Sequence, residues 1–286
     1  MMGSAITWSV QAASLWPGPG VRRCRLRTVT GTTGVFNFDG YACPMDSSLP
    51  SISLVSLCIA FIPGLFLLAV IHRWSLKASS ALYANVRMLV QLLIVGYVLT
   101  YIFETDEPAI IIGVVLVMIF TAAWIALRPL KESRLHLYAM VVAAVAGSGL
   151  VMLGIVTKIV LDLPRWFEPR FVVPLAGMIF ANLMNTVSLA AERFESEVAQ
   201  ESHPLEARRV ALEAAMIPQI NSLLAVGLVS LPGMMTGQIL SGIDPQVAVR
   251  YQVMVMCMVF GSGGMAAVIY LALRTNSSRG QEAASH

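Results

Sequence analysis

The chain contains about seven apolar stretches, each long enough to cross a lipid bilayer as a helix of ~20 residues. Backbone polar groups inside a bilayer must be hydrogen-bonded within the protein, so such stretches fold as helices that pack into a bundle. We therefore predict an all-α fold, a polytopic membrane helix bundle. The predicted spans are residues 52–71, 86–103, 109–127, 135–160, 173–191, 220–240 and 249–273.

Composition and charge support a membrane protein and exclude other classes. Of the 286 residues, 57% are hydrophobic and only 12% are charged, whereas a soluble domain is about one-quarter charged. The net charge of +3 gives no reason to expect a nucleic-acid partner. The four cysteines form no CxxC pair, so neither a metal cluster nor a disulfide framework is indicated.

Basic residues concentrate after alternate spans, which is typical of loops on the cytoplasmic side. Those that follow the first, third, fifth and seventh spans are Arg73, Lys77, Arg128, Lys131, Arg134, Arg193, Arg208, Arg209, Arg274 and Arg279. The turn at 104–108 has no basic residue, although the turn after the fourth span carries Lys158, Arg165 and Arg170. The pattern predicts an outside N-terminus, a cytoplasmic C-terminus and a multi-pass protein of the cell (plasma or inner) membrane.

The two ends of the chain differ from the apolar middle. Residues 1–44 contain an arginine cluster and no apolar run long enough for a signal-peptide core. They are either a disordered arm or an overlong start, with translation beginning at Met45. We expect residues 45–275 to form the transmembrane domain and residues 276–286 to be a disordered tail.

The predicted sixth span is interrupted. Residues 226–245 read VGLVSLPGMMTGQILSGIDP, in which Pro232 and the glycines Gly233, Gly237 and Gly242 weaken a helix. An apolar segment broken by proline and glycine indicates a transport path. The alternative is a helix that ends at Leu231 and is followed by a short outer loop.

Polar side chains also occur within the spans. Asn182, Asn185, Ser188 and Glu192 form one stripe along the fifth span, which favours either the wall of a hydrophilic path or hydrogen bonding between helices. Methionine sulfur suits soft metals but also fills cores, and no metal site can be assigned. The candidates for lining a path are Asn182, Asn185, Asn221, Met234, Met235, Gln238 and Asp244.

The longest polar stretch between spans is residues 192–218. Its second half, LEARRVALEAAM at 205–216, is rich in helix-forming residues. Neither this loop nor the rest of the chain contains the GxxxxGK[ST] loop that cradles nucleotide phosphates, so the chain does not hydrolyse ATP through that motif. The helix is either a docking element for a soluble partner or a solvated connector.

Four segments resemble the iron-export ABC permease family of the FetB type, to which the plant aluminium-sensitivity half-transporters are similar. They are NVRMLVQLLIVGYVLTYIF (85–103), PLAGMIFANLMNTVSLAAERFESEV (174–198), EAAMIPQINSLLAVGLVSLPGMMTGQILSGIDP (213–245) and AVRYQVMVM (248–256). The resemblance extends from about Trp74 to Tyr270.

The resemblance implies a permease subunit that is not itself an enzyme and needs no cofactor. It would pair with a separate ATP-binding cassette ATPase, two copies of each, and export iron or another metal by alternating access. It makes residues 205–216 a coupling element, although the loop is shorter than expected and Glu213 stands where a basic residue is common. The ATPase-coupling candidates are Glu192, Arg193, Arg208, Arg209 and Glu213.

Other functions remain open from the sequence. The plant relatives are linked to aluminium tolerance with a nucleotide sugar proposed as cargo, so an ABC exporter of nucleotide sugars or other small solutes is an alternative. A stand-alone ion-coupled carrier or channel is another, and a membrane scaffold without transport activity is a third.

Overall fold

A computed structural model of the chain describes residues 53–74, 78–104, 107–130, 135–200 and 203–285, all within one compact unit, Pro50–His286. The arm predicted for residues 1–44 lies outside the described residues. Every regular element described is helical. The α-helices are α1 (Leu54–Ala60), α2 (Ile62–Arg73), α3 (Ala78–Glu104), α4 (Pro108–Ala126), α5 (Leu135–Gly154), α6 (Pro169–Ala199), α7 (Pro204–Ala225), α8 (Gly233–Leu240) and α9 (Pro245–Ser285), and a π-helical segment, Ile155–Val160, follows α5.

The structure confirms the all-α membrane bundle. Among the described residues, 6 continuous helical stretches are long and apolar enough to cross a membrane. They are Val55–Arg73, Ser79–Glu104, Pro108–Ala126, Leu135–Val160, Pro169–Ala199 and Pro245–Ser277. The span predicted at 220–240 is not among them, because that region is divided between the end of α7 and the whole of α8.

Helix α6 is the centre of the bundle and packs against α4, α5, α7 and α9. Apolar residues at intervals of three and four place one broad face of α6 in the core, as a helical period requires. Ile179, Leu183 and Val187 on this face are completely buried. Where α7 packs against its neighbours, the buried residues are the alanines Ala207 and Ala211, followed by Ala215 one turn further on. These small side chains let the helices approach closely.

The first two spans stand apart from this bundle. Helix α3 packs beside α2 and contacts α6 at only a few positions, although Ile102 near its end is buried. The guanidinium of Arg87 also lies over the ring of Trp124 in α4, at 5.8 Å. In the most apolar part of α3, 6% of the residues are buried within the chain, compared with 50% in the corresponding part of α6. The α2–α3 hairpin is therefore held by few contacts.

The last helix extends further than expected. We predicted a disordered tail from residue 276, whereas α9 is helical to Ser285. The tail contains no proline, and the sequence QEAA at 281–284 favours helix, so nothing in the chain forces α9 to end where its apolar part ends.

Candidate functional site

The break predicted in the sixth apolar stretch is present. Helix α7 ends at Ala225, and Gly227 takes a left-handed conformation with φ +83°, which glycine adopts at little cost. The carbonyl of Ala225 accepts hydrogen bonds from the N–H groups of Val229 and Ser230, at 2.9 and 3.1 Å. Pro232 is extended, and α8 begins directly after it. The helix thus ends well before Leu231, and the chain becomes helical again within a few residues.

Together α7 and α8 extend alongside α9. In the α7 half, Gln219 lies beside Gly263 and Met216 beside Gly264, which makes α7 antiparallel to α9. In the α8 half, Met234 lines the same pocket as Tyr251 near the start of α9. The break between α7 and α8 therefore lies between these two levels, beside the apolar part of α9.

A cluster of polar side chains joins α6, α7 and α9 just before this break. Nε2 of Gln219 donates to Oδ1 of Asn182 at 2.6 Å and to Oγ1 of Thr186 at 2.9 Å. Nδ2 of Asn182 donates to the carbonyl oxygen of Val259 in α9 at 2.8 Å. Gln219 and Thr186 are buried. The amide nitrogen of Gln219 is thereby satisfied in a buried position, as a buried polar group requires, whereas Asn182 is half-buried.

Gly263 makes room for this cluster. A Cβ atom at that position would lie 2.6 Å from Nδ2 of Asn182 and 3.2 Å from Oγ1 of Thr186. The neighbouring Gly264 is less restricted, since its Cβ would meet the side chain of Met216 at 3.7 Å. Close approach of α9 to the polar cluster therefore needs a glycine at 263.

The polar stripe predicted along α6 divides between two environments. Asn182 forms the interhelical hydrogen bonds described above, whereas Asn185 and Glu192 are exposed on the side of α6 away from the core. Hydrogen bonding between helices, the structural alternative for this stripe, thus applies to Asn182. A role in a path stays a prediction for all of these residues.

Three methionines from three helices surround a small pocket next to the break. Met178 of α6, Met234 of α8 and Met254 of α9 line a space of about 40 Å³, together with Arg170 and Tyr251. The arginine places a positive charge at this pocket. Within the described residues, no group of three or more His, Cys, Asp or Glu side chains could hold a metal ion.

The other path candidates are spread along the broken segment. Asn221 is exposed near the end of α7, and Met235 is half-buried in α8. Gln238 is also half-buried, and its Oε1 atom is buried without a hydrogen-bond partner among the described residues. Asp244 caps α9, because its Oδ1 accepts from the N–H of Gln246 at 2.8 Å.

The coupling candidates gather at the opposite end of α7. Arg208 and Arg209 lie on the edge of an open groove of about 500 Å³ between α7 and α9. The rest of its lining is apolar: Leu205, Leu212, Val268, Leu271 and Ala272. Glu213 is exposed further along α7. Arg209 lies 3.9 Å from Glu206, a long ion pair between exposed side chains.

An ion pair that we did not predict joins α6 to α9 near this groove. Arg274 donates from Nε to Oε1 of Glu195 at 2.7 Å and from Nη2 to Oε2 at 3.1 Å. The guanidinium also lies 5.7 Å from the ring of Phe194. By contrast, the predicted coupling residue Arg193 pairs with Glu197 on its own helix at 2.6 Å and is 44% exposed.

The fold and these features define a multi-pass α-helical membrane protein in which one apolar segment is broken between α7 and α8. The family model described as "Uncharacterised protein family (UPF0014)" matches residues 53–277. The chain belongs to this family.

Relatives in bacteria and plants match most of the chain. It is 32% identical over 237 residues to the probable iron export permease protein FetB of Escherichia coli, covering 77% of this chain and 90% of that protein. It is 34% identical over 193 residues to a membrane protein of the family from Synechocystis, covering 62% of this chain and 74% of that protein. It is 28% identical over 220 residues to the protein ALUMINUM SENSITIVE 3 of Arabidopsis thaliana, covering 71% of this chain and 79% of that protein. No solved structure matches the chain.

Proposed function

We propose that this chain is the permease subunit of an ATP-driven exporter of iron or a related metal. Two copies would assemble with two copies of a separate ATP-binding cassette ATPase. The observation that carries the proposal is the break between α7 and α8 beside the apolar part of α9, in a chain similar to a probable iron export permease over 90% of that protein's length.

The broken segment supports transport because the backbone of the turn between α7 and α8 is irregular, unlike the backbone of a continuous helix. In a bilayer such backbone is tolerated where it is covered by protein or lines a water-filled cavity. We propose that α7 and α8 cross the membrane as one discontinuous span, and that the side chains around the break, including Met234, Met235 and Gln238, line the path of the metal.

The groove at the other end of α7 supports a partner. Arg208 and Arg209 are exposed beside an apolar floor, a combination that fits a protein surface with acidic and apolar side chains. The chain lacks a phosphate-cradling loop, so the partner would supply ATP hydrolysis. We propose that this groove and the adjacent end of α6, with Glu192 and Arg193, receive the ATPase.

The proposal is tested by expressing the chain with each candidate ATP-binding cassette ATPase from the same organism. We expect one of these ATPases to purify together with the chain, and inside-out vesicles that contain both to accumulate radioactive iron only when ATP is added. A partner variant that binds but does not hydrolyse ATP is the control. Absence of a complex would refute the proposal, and accumulation without ATP or partner would instead establish a stand-alone carrier.

A further inference from the structure

The midpoint of α3 carries an amide that has no hydrogen-bond partner among the described residues. Gln91 is the central residue of the 27-residue helix Ala78–Glu104, so it lies about 20 Å from either end at 1.5 Å per residue. This places it near the centre of an apolar layer that is ~30 Å thick. Its side chain is exposed and makes no hydrogen bond within the part of the chain that the structure describes.

Other polar side chains of α3 are satisfied locally. Nδ2 of Asn85 donates to the carbonyl of Ala81 at 2.9 Å, and Oγ1 of Thr100 donates to the carbonyl of Gly96 at 3.1 Å. Gln91 has no such bond. An amide that faces hydrocarbon without a hydrogen bond costs several kcal/mol, so it requires a partner.

The described residues around Gln91 supply none. Leu92, Leu93 and Ile94 are 63%, 71% and 56% exposed, so α3 is open on most sides at this depth. The same face of the helix continues at seven-residue spacing to Ala84 and Val98, which are both exposed. Such spacing forms a continuous seam along a helix, and one polar residue in such a seam fixes the register of a helix pair.

We propose that this seam is where two copies of the chain meet, with the amide of Gln91 hydrogen-bonded to Gln91 of the partner subunit. Both copies insert into the membrane in the same orientation, so the axis that relates them is perpendicular to the membrane. A residue on that axis meets its own counterpart at the same depth. The glutamine amide suits this position because it carries both donors and an acceptor, so two of them are complementary.

This inference rests on the proposed pairing of two permease subunits and assigns that pairing to α3. The test is a disulfide cross-link in native membranes that also contain the ATPase. Cys24, Cys43, Cys58 and Cys257 are first replaced by serine, and Gln91→Cys is then introduced. We expect oxidation to join two chains, because α-carbons across the seam would be within the ~4.4–6.8 Å that a disulfide allows.

Leu93→Cys is the matched control, since it lies at nearly the same depth on the opposite face of α3 and is 71% exposed. We expect about tenfold less cross-linked dimer from Leu93→Cys, given the distance over which a disulfide can form. Equal cross-linking of the two variants, or none from Gln91→Cys, would overturn the proposed seam.

A second measurement uses the amide itself. Gln91→Leu removes the hydrogen bond and should lower the association constant of the dimer in bilayers by about five- to thirtyfold, whereas Gln91→Asn keeps an amide and should lower it less. If the active complex contains two permease chains but Gln91 does not cross-link, only the α3 seam is refuted. If the active complex contains one permease chain, the proposed pairing is refuted as well.

Discussion

Nε2 of Gln219 donates to Oδ1 of Asn182 at 2.6 Å, and this bond links two helices whose residues are 37 positions apart in the chain. Gln219 directly follows Pro218, which lies inside α7. Proline removes one backbone hydrogen bond from a helix and makes that point easier to bend. The hydrogen bonds of Gln219 therefore hold α7 against α6 immediately beyond its weakest point.

The first prediction concerns the pair of glycines beside this cluster. Gly263→Ala should lower the free energy of unfolding by about 1–3 kcal/mol, because the added Cβ would displace Asn182 and separate α9 from the cluster. Gly264→Ala is the matched control and should have little effect, since its Cβ makes ordinary contact with Met216. Thermal unfolding of both variants in detergent measures the difference. Equal stability would mean that α9 shifts without cost.

The second prediction concerns the ion pair between α6 and α9. Arg274→Lys should destabilise the protein by about 1–3 kcal/mol, because lysine cannot form the two parallel hydrogen bonds to Glu195. Arg193→Lys should change stability by less than about 0.5 kcal/mol, because Arg193 is 44% exposed and its partner Glu197 lies one turn away on the same helix. The measurement is again thermal unfolding. A larger loss from Arg193→Lys would contradict the assignment.

The third prediction tests the groove between α7 and α9. Replacing Arg208 and Arg209 together by glutamate should weaken binding of the ATPase by at least about tenfold, since each reversed charge would repel an acidic partner surface. Membrane insertion should be unchanged. Affinity is measured by titrating purified ATPase against the permease in lipid nanodiscs.

The control for the groove is a double charge reversal elsewhere. Arg73→Glu with Arg128→Glu makes the same change in net charge on the same predicted side of the membrane, but neither residue lines the groove. This variant should bind the ATPase normally. Unchanged affinity of the Arg208 and Arg209 variant, or equal loss in both, would exclude a specific contact at the groove.

The fourth prediction separates two roles of Asp244. Asparagine also caps helices, so Asp244→Asn should preserve the start of α9 and the stability of the protein. If Asp244 lines the path, as we propose, loss of its negative charge should reduce ATP-dependent iron accumulation in vesicles several-fold. Asp244→Ala should lose both iron transport and about 1 kcal/mol of stability. If the Asp244→Asn variant transports iron as well as the unmodified protein does, Asp244 serves only to cap α9.

The sequence predicted the helices better than their mutual contacts. Long apolar runs determine membrane helices because the bilayer allows few alternatives, and Pro232 with its neighbouring glycines predicted the break between α7 and α8. The partners of Asn182 could not be predicted, because they depend on the rotation and register of α6 and α7. The same holds for Glu195 and Arg274, which are 79 positions apart. Spacing along one helix contains no information about either pairing.

The face that α7 buries is not uniform along its length. Before Pro218 this face consists of Pro204 and alanines, whose side chains form no hydrogen bonds. After Pro218 the amide of Gln219 is hydrogen-bonded to α6. The part of the helix that bears Arg208 can therefore turn or slide over its neighbours without breaking a side-chain hydrogen bond on this face. A displacement of that end would therefore bend α7 at Pro218, next to the polar cluster.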